Sequence, residues 1–133
     1  MSFALTKFAR TTFTLVEITI VVAVIVLLVA IAIPGFLRAR KRSQVGEILN
    51  DLRLIDSAVD QYAIETAKKT GDPVNTVDWT NYLKKDTVLY ATGQDLFGDD
   101  YGPQIVDSHV SVPANAKTNL SDVTDVAFWS PFN

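Results

Sequence analysis

The sequence predicts an α+β fold, in which one long N-terminal helix packs against a small antiparallel β-sheet head. The first half of that helix is transmembrane and its second half amphipathic. Three observations lead to this prediction. Phe13–Ile33 is an apolar run with one charge, Val45–Tyr62 carries apolar residues at helical spacing, and Gln104–Val112 contains short alternating segments.

The apolar run Phe13–Ile33 is long enough to cross a membrane. Its 21 residues make a helix about 31 Å long, which matches a hydrocarbon core of roughly 30 Å. The run is too long for the apolar region of a cleaved secretory signal, and no small-residue cleavage site follows it. We therefore expect a retained membrane helix, with any processing on the side of the short basic segment Met1–Thr12. The Lys and Arg residues at its two ends do not settle its orientation.

The helix is expected to continue in amphipathic form to Ala67, with an interruption or kink at Pro34 and a stop at residues 71–73. Apolar residues three and four apart define one stripe, which needs a cover from the rest of the chain. They are Val45, Ile48, Leu49, Leu52, Ile55, Val59 and Tyr62. The predicted organisation is a basic segment 1–12, a transmembrane segment 13–36, an amphipathic continuation 37–70 and a small head 71–133.

The head must supply the cover for the stripe. Residues 78–85 predict a short helix, and the Gly-rich stretch 93–102 predicts turns. Two short strands are expected at 104–107 and 109–112, followed by a loop at 113–118 and a last strand at 126–129.

Composition and charge exclude several function classes. Of the formal net charge of −3, residues 1–42 contribute +5, so residues 43–133 carry −8. An acidic soluble part argues against nucleic acid as a partner. Because the chain has no cysteine, zinc–thiolate sites, cysteine nucleophiles and disulfides are excluded.

No pattern predicts an enzyme. Asp107, Ser108 and His109 are triad residue types, but neighbours on a strand point to alternating faces and do not line up as a relay. The chain has a single histidine, and it lacks a phosphate-binding loop and a Gly-rich dinucleotide motif.

Glu17, the lone charge in the apolar run, has two interpretations. Thr14-Leu15-Val16-Glu17 fits a capping box, in which the carboxylate bonds back to the N-cap amide. Alternatively, a carboxylate among lipid or packed helices needs a cation. The nearest candidate is the amine of Phe13, freed by cleavage, from the same or a neighbouring chain.

The N-terminal segment resembles the processing and methylation segment of type IV pilin-like proteins. The resemblance is carried by the short basic leader, by Phe13-Thr14-Leu15, by Glu17 four residues after the Phe, and by Pro34 at the end of the span. A looser resemblance to major pseudopilins of type II secretion extends through YLKKD, LYATGQDLFGDDYGPQ and SDVTDVAFW. The chain departs from the family pattern at Thr12 and at Val26, where the family usually has Gly.

The resemblance implies a pilin-like fold and a prepilin of the bacterial inner membrane. Its leader would be cytoplasmic and its head periplasmic. A prepilin peptidase would cleave between Thr12 and Phe13 and methylate the new amine of Phe13. Phe13, Glu17 and Pro34 would then serve assembly into a helical filament whose core is the bundled N-terminal helices.

The resemblance also implies a calcium site near the C-terminus. Ser121–Asp125 alone is better explained as a solvated or N-capping loop, although acidic loops also supply the oxygens that calcium requires. In the family a loop near this point binds Ca²⁺. Carried over to this chain, the ligands are the side chains of Asp122 and Asp125 and the carbonyls of Leu120 and Thr124.

Three further groups have structural explanations. Turn chemistry explains Asp95, Asp99 and Asp100 better than a ligand cage does. Arg38–Arg42 is expected to anchor at lipid phosphates, the alternative being contact with acidic faces of neighbouring subunits. The aromatic residues of the head are expected in the core and at subunit contacts; they are Trp79, Tyr82, Tyr90, Phe97, Tyr101, Phe128 and Trp129.

The predicted function is a structural subunit of a pseudopilus that acts as a piston in type II protein secretion. The alternatives are a type IV pilus subunit for adhesion, motility or DNA uptake, and a membrane-anchored binding domain that does not polymerise. The expected partners are further copies of the chain, the prepilin peptidase, the inner-membrane assembly platform, minor pseudopilins and membrane lipid.

Overall fold

The computed structural model describes residues 12–133. Apart from Thr12, the predicted leader 1–12 therefore lies outside the described residues. Within the described range the chain forms α1 (Leu15–Thr66), β1 (Pro73–Val74), α2 (Thr76–Thr80), α3 (Val88–Thr92), β2 (Gln104–Ile105), α4 (Ala114–Asn119) and a 3-10 turn at Ala127–Trp129.

Helix α1 confirms the predicted long N-terminal helix. It begins after Thr14, whose carbonyl accepts hydrogen bonds from the amides of Glu17 and Ile18 at 3.1 and 3.3 Å. Pro34 lies inside it, so the predicted interruption there is wrong: the missing proline amide does not end the helix. The helix ends at Thr66, one residue before the predicted end at Ala67, because Ala67 turns into the left-handed region with φ 53°.

The chain divides into two compact units, Met1–Leu37 and Arg38–Asn133. The described residues of the first unit are the start of α1 and the three residues that precede it, and all are exposed. The second unit contains the rest of α1 and every other element.

The predicted stripe is the centre of the core of the second unit. Ile48, Leu52 and Ile55 are 0% exposed. Leu49 and Tyr62 are partly buried against the same core. The cover comes from the head, as predicted, chiefly from Val74, Trp79, Val106, Val110, Val112, Ala116, Leu120, Trp129 and Phe132. Because the stripe and its cover are both apolar, their burial supplies the main stabilisation of this unit.

The sheet of the second unit is smaller than predicted. In the described part of the chain it consists of β1 and β2, which pair antiparallel with Pro73 opposite Ile105 and Val74 opposite Gln104. The strand expected at 109–112 is absent because this segment bonds elsewhere. The amide of Val110 donates to Asp56 Oδ1 at 3.2 Å, and that of Val112 to the carbonyl of Phe132 at 3.0 Å. The alternation of apolar and polar residues in this segment reflects the burial of Val110 and Val112 in the core. It does not reflect pairing with another strand.

Three other predictions for the head are corrected. The helix expected at 78–85 is α2, which ends at Thr80. The loop expected at 113–118 contains α4, which buries Ala116. The strand expected at 126–129 is a 3-10 turn, in which Trp129 is buried while Phe128 stays 47% exposed. In each case a short helical segment brings an apolar side chain to the core: Trp79, Ala116 and Trp129.

Candidate assembly surfaces and acidic sites

The start of α1 is an exposed apolar surface. Leu15 is 82% exposed, Val26 62% and Ile31 72%. By length and composition α1 could cross a membrane. A contiguous apolar surface of this extent marks contact with lipid or with another protein. Val26, which stands where the resembled family usually has Gly, lies inside the continuous helix.

The Thr12–Phe13 bond lies in the three described residues that precede α1. Thr12 and Phe13 are outside regular secondary structure and exposed, and Phe13 is 74% exposed. A peptide bond outside a helix is the kind of substrate that a peptidase accepts without unfolding a secondary structure element.

Glu17 makes only half of the predicted capping box. Its amide donates to the hydroxyl of Thr14 at 3.3 Å. Among residues 12–133, however, no hydrogen bond or ion pair reaches the Glu17 carboxylate. The capping box therefore explains Thr14 and leaves the carboxylate for another partner.

The residues predicted as calcium ligands already have other bonds. Lys41 Nζ lies 2.8 Å from both carboxylate oxygens of Asp122. This hydrogen bond holds the pKa of Asp122 below its usual value, and Arg38 contributes to the same direction. Asp125 Oδ1 accepts the amide of Phe128 at 2.8 Å. The Leu120 carbonyl accepts the amides of Val123 and Thr124 at 3.0 Å, together with the Thr124 hydroxyl at 2.9 Å.

In the conformation described, three of the four predicted calcium ligands, the side chains of Asp122 and Asp125 and the carbonyl of Leu120, accept bonds from within the chain. Calcium takes six to eight oxygens, whereas the oxygens above point to internal donors. Within residues 12–133 no group of three or more His, Asp or Glu side chains is arranged to hold a metal ion. Asp122 and Asp125 lie near each other in sequence, but the bonding separates their roles: one pairs with α1 and the other caps the 3-10 turn.

In the second acidic group, Asp95, Asp99 and Asp100, the side chain of Asp95 is held by turn bonds. Asp95 Oδ1 accepts the amides of Phe97 and Asp99 at 2.8 and 2.9 Å. Gly98, with φ 85°, supplies the left-handed residue that this turn needs. Asp99 Oδ1 accepts the side-chain amide of Asn115 at 2.7 Å.

The sequence does not reveal that this turn lies next to α1. A cleft of about 890 Å³ is lined by three carboxylates, Glu47, Asp51 and Asp95, by one lysine, Lys84, and by apolar residues that include Leu54 and Leu96. We call it the acidic cleft. Glu47 and Asp51 are four apart, so the helical repeat places them together. The contribution of Asp95 depends on tertiary packing, which sequence spacing does not encode.

In the acidic cleft, burial and neighbouring charges raise the pKa values of two groups, Asp51 and Tyr101. Burial, helped by the charges of Glu47 and Asp95, raises the pKa of Asp51 to about 6, although the Tyr101 hydroxyl opposes this by bonding to Asp51. That bond measures 3.4 Å. The pKa of Tyr101 is raised as well, mainly by burial and then by the charge of Asp51. The cleft therefore combines an exposed carboxylate, Glu47, with the half-buried Asp51 and the buried Asp95.

The triad residue types are not brought together. His109 Nδ1 lies 3.2 Å from Asp56 Oδ2 on α1, and the hydroxyl of Thr70 bonds to the carboxylate of Asp107. Asp107 adopts φ 62°, which turns the chain between the segments that were predicted as a hairpin.

No protein-family model matches the chain, and neither the curated proteins nor the solved structures compared with it give a match.

Proposed function

We propose that this chain is a structural subunit of a helical filament assembled from the inner membrane, a pseudopilus of the type II secretion kind. One observation carries the proposal: the apolar side chains at the start of α1 are exposed, while the apolar stripe further along the same helix is buried under the head. The head therefore leaves the first surface available for lipid and then for other copies.

Before assembly, lipid would cover the apolar surface. The hydrocarbon core needs a helix whose backbone bonds are satisfied internally, and α1 meets that requirement. The proposed orientation has a cytoplasmic N-terminus and a periplasmic head. A prepilin peptidase would cut at the exposed Thr12–Phe13 bond and methylate the amine of Phe13.

In the filament, other copies of α1 would replace the lipid. A head-to-tail contact that does not close produces a helical fibre. Glu17 would pair with the amine of Phe13 of a neighbouring copy, because a carboxylate in a packed apolar core needs a cation. This pairing would fix the register between subunits. Growth of such a fibre, driven by an inner-membrane assembly platform and started by minor pseudopilins, would push secreted proteins outward.

The test is the Glu17→Gln variant of the full chain, expressed in cells that assemble the filament. We expect normal membrane insertion and loss of sheared filaments, because glutamine keeps the shape but removes the charge. Thr19→Ala is the matched control. It removes another polar group of the same segment, whose hydroxyl bonds only to the carbonyl of Val16 at 2.7 Å, and it should leave filaments unchanged.

Normal filaments from Glu17→Gln would contradict the proposed register. Absence of filaments from the unmodified chain, with Phe13 unprocessed and monomers only in the membrane, would instead favour a membrane-anchored domain that does not polymerise.

A further inference from the structure

We propose that the acidic cleft receives guanidinium groups from Arg38 and Arg42 of a second copy of this chain. The inference rests on the proposed function, since it assumes that copies meet in parallel. It names a second contact between them, outside the apolar segment.

The first observation is an unsatisfied buried acid. Asp95 lines the acidic cleft and is 4% exposed. Its Oδ1 caps the local turn, but Oδ2 has no hydrogen-bond partner in the part of the chain that the structure describes. An unpaired buried carboxylate oxygen is costly and is usually matched by a cation or a donor.

The second observation is a set of cations without a partner. Lys41 is engaged with Asp122. By contrast, Arg38, Arg40 and Arg42 are exposed, and no ion pair involving them is found among residues 12–133. Among residues 12–133, one unit thus carries a cleft with three carboxylates and one lysine, Lys84, in which no ion pair is found, and three arginines that form no ion pair.

The third observation is the spacing along α1. Arg38 and Arg42 are four residues apart, and so are Glu47 and Asp51. The offset between the two pairs is nine residues. At about 100° per residue, nine residues turn the helix by about 900°, which is half a turn beyond two full turns. The basic pair and the acidic pair therefore lie on opposite sides of the helix.

Opposite sides are what a head-to-tail contact requires. Each copy offers one face to the next copy and the other face to the previous one. Two parallel copies shifted by about 13.5 Å, nine residues at 1.5 Å each, would align Arg38 with Glu47 and Arg42 with Asp51. The aliphatic stem of arginine suits the apolar lining of the cleft, and its planar head suits carboxylates.

Arg40 provides a matched control within the same segment. It lies seven residues before Glu47 and eleven before Asp51, which places it on the same face as the acids. If these arginines only bound lipid phosphates, substitution at positions 38, 40 and 42 should have similar effects. The proposed contact instead uses Arg38 and Arg42 and leaves Arg40 out.

The experiment is a charge exchange in the full chain, with the yield of sheared filaments as the readout. Arg38→Glu alone and Glu47→Arg alone should each lower the yield by about tenfold or more, because each places like charges together. The combined variant Arg38→Glu with Glu47→Arg should restore it. Arg40→Glu should leave the yield within about twofold of the unmodified chain.

A second measurement shows the contact directly. The chain has no cysteine, so Arg38→Cys with Glu47→Cys can be joined by a short bis-maleimide, while the pair Arg42 and Asp51 is kept. We expect a ladder of multimers on a denaturing gel. Arg40→Cys with Glu47→Cys should give mostly monomer.

Equal losses from Arg38→Glu and Arg40→Glu, no restoration by the exchange, or dimers without higher multimers would each overturn the inference. Those results are separable from failure of the proposed function. If filaments form and their centre is made of the apolar segments but the exchange has no effect, only this contact is wrong. If the unmodified chain forms no filaments, the proposed function itself fails.

Discussion

The two units differ in whether their apolar side chains are exposed or buried. In the first unit Leu27 is 63% exposed, and in the second Leu52 is 0% exposed, although both leucines lie on α1. The second unit is covered by its own chain and is complete in that respect. The first unit is not covered by its own chain, so the free energy of its apolar side chains depends on whether water, lipid or protein surrounds them. One helix therefore carries an uncovered apolar surface first and the buried stripe of a folded core after it.

The sharpest way to break the comparison is to truncate one leucine in each unit. Leu52→Ala should lower the free energy of unfolding of the second unit by about 2–5 kcal/mol, because it leaves a cavity in the core. Leu27→Ala should change it by less than about 0.5 kcal/mol. The measurement is thermal or denaturant unfolding of the full chain in detergent micelles, followed by the fluorescence of the buried Trp79 and Trp129. Similar losses from both variants would contradict the division into a self-covered and an uncovered unit.

A smaller loss of stability is expected from a substitution at Asp56, a polar residue of α1 to which the head bonds. The carboxylate of Asp56 accepts the amide of Val110 and faces His109. Asp56→Ala should therefore lower the free energy of unfolding by about 1–2 kcal/mol, since it strands a part-buried amide. Asp60→Ala removes an exposed carboxylate from the same helix and should have little effect. Equal melting temperatures for the two variants would show that this contact does not hold the head.

In the acidic cleft, removing a carboxylate should increase the free energy of unfolding, whereas Asp56→Ala should lower it. Since the pKa of Asp51 is raised to about 6, above its unfolded value near 3.9, its ionisation destabilises the folded unit at neutral pH. That penalty is relieved as the pH falls through 6 toward 4. Asp51→Asn should therefore increase the free energy of unfolding at pH 7 by roughly 1 kcal/mol, after allowance for solvent screening.

The gain from Asp51→Asn should vanish below about pH 4, where the carboxyl is neutral in both states. Unfolding of both proteins across this pH range is the measurement. A variant that is less stable at pH 7 would mean that the hydrogen bond from Tyr101 outweighs the cost of burial.

The smallest expected effect is that of calcium on the melting temperature. Lys41 satisfies both oxygens of Asp122, so calcium or a chelator should leave the melting temperature of the unmodified chain unchanged. In Lys41→Ala these oxygens are released, and calcium should then raise the melting temperature slightly. A clear response of the unmodified chain would restore the calcium site that the resemblance implies.

The elements that could be predicted from the sequence are those set by periodicity. The long helix and its buried stripe follow from residues three and four apart, such as Ile48, Leu52 and Ile55, because helical geometry alone puts them on one face. The turn around Asp95 follows from Gly and Asp chemistry.

The remainder depended on contacts between distant residues. The alternation of Val110 and Val112 predicted a strand, yet Asp56 and Phe132 take their amides. The pairing of Lys41 with Asp122 spans 81 residues. The acidic cleft brings Asp95 together with Glu47 and Asp51, which precede it in the chain by 48 and 44 residues. Local patterns do not specify such partners, since they arise from packing of the head on α1.

A cryo-electron microscopy map of filaments sheared from cells would show which residues form their centre. We expect residues 13–37 of many copies at the centre of the filament, with each Glu17 carboxylate within hydrogen-bond distance of the Phe13 amine of a neighbour. A filament centre built from the heads, with residues 13–37 facing solvent or lipid, would contradict this expectation.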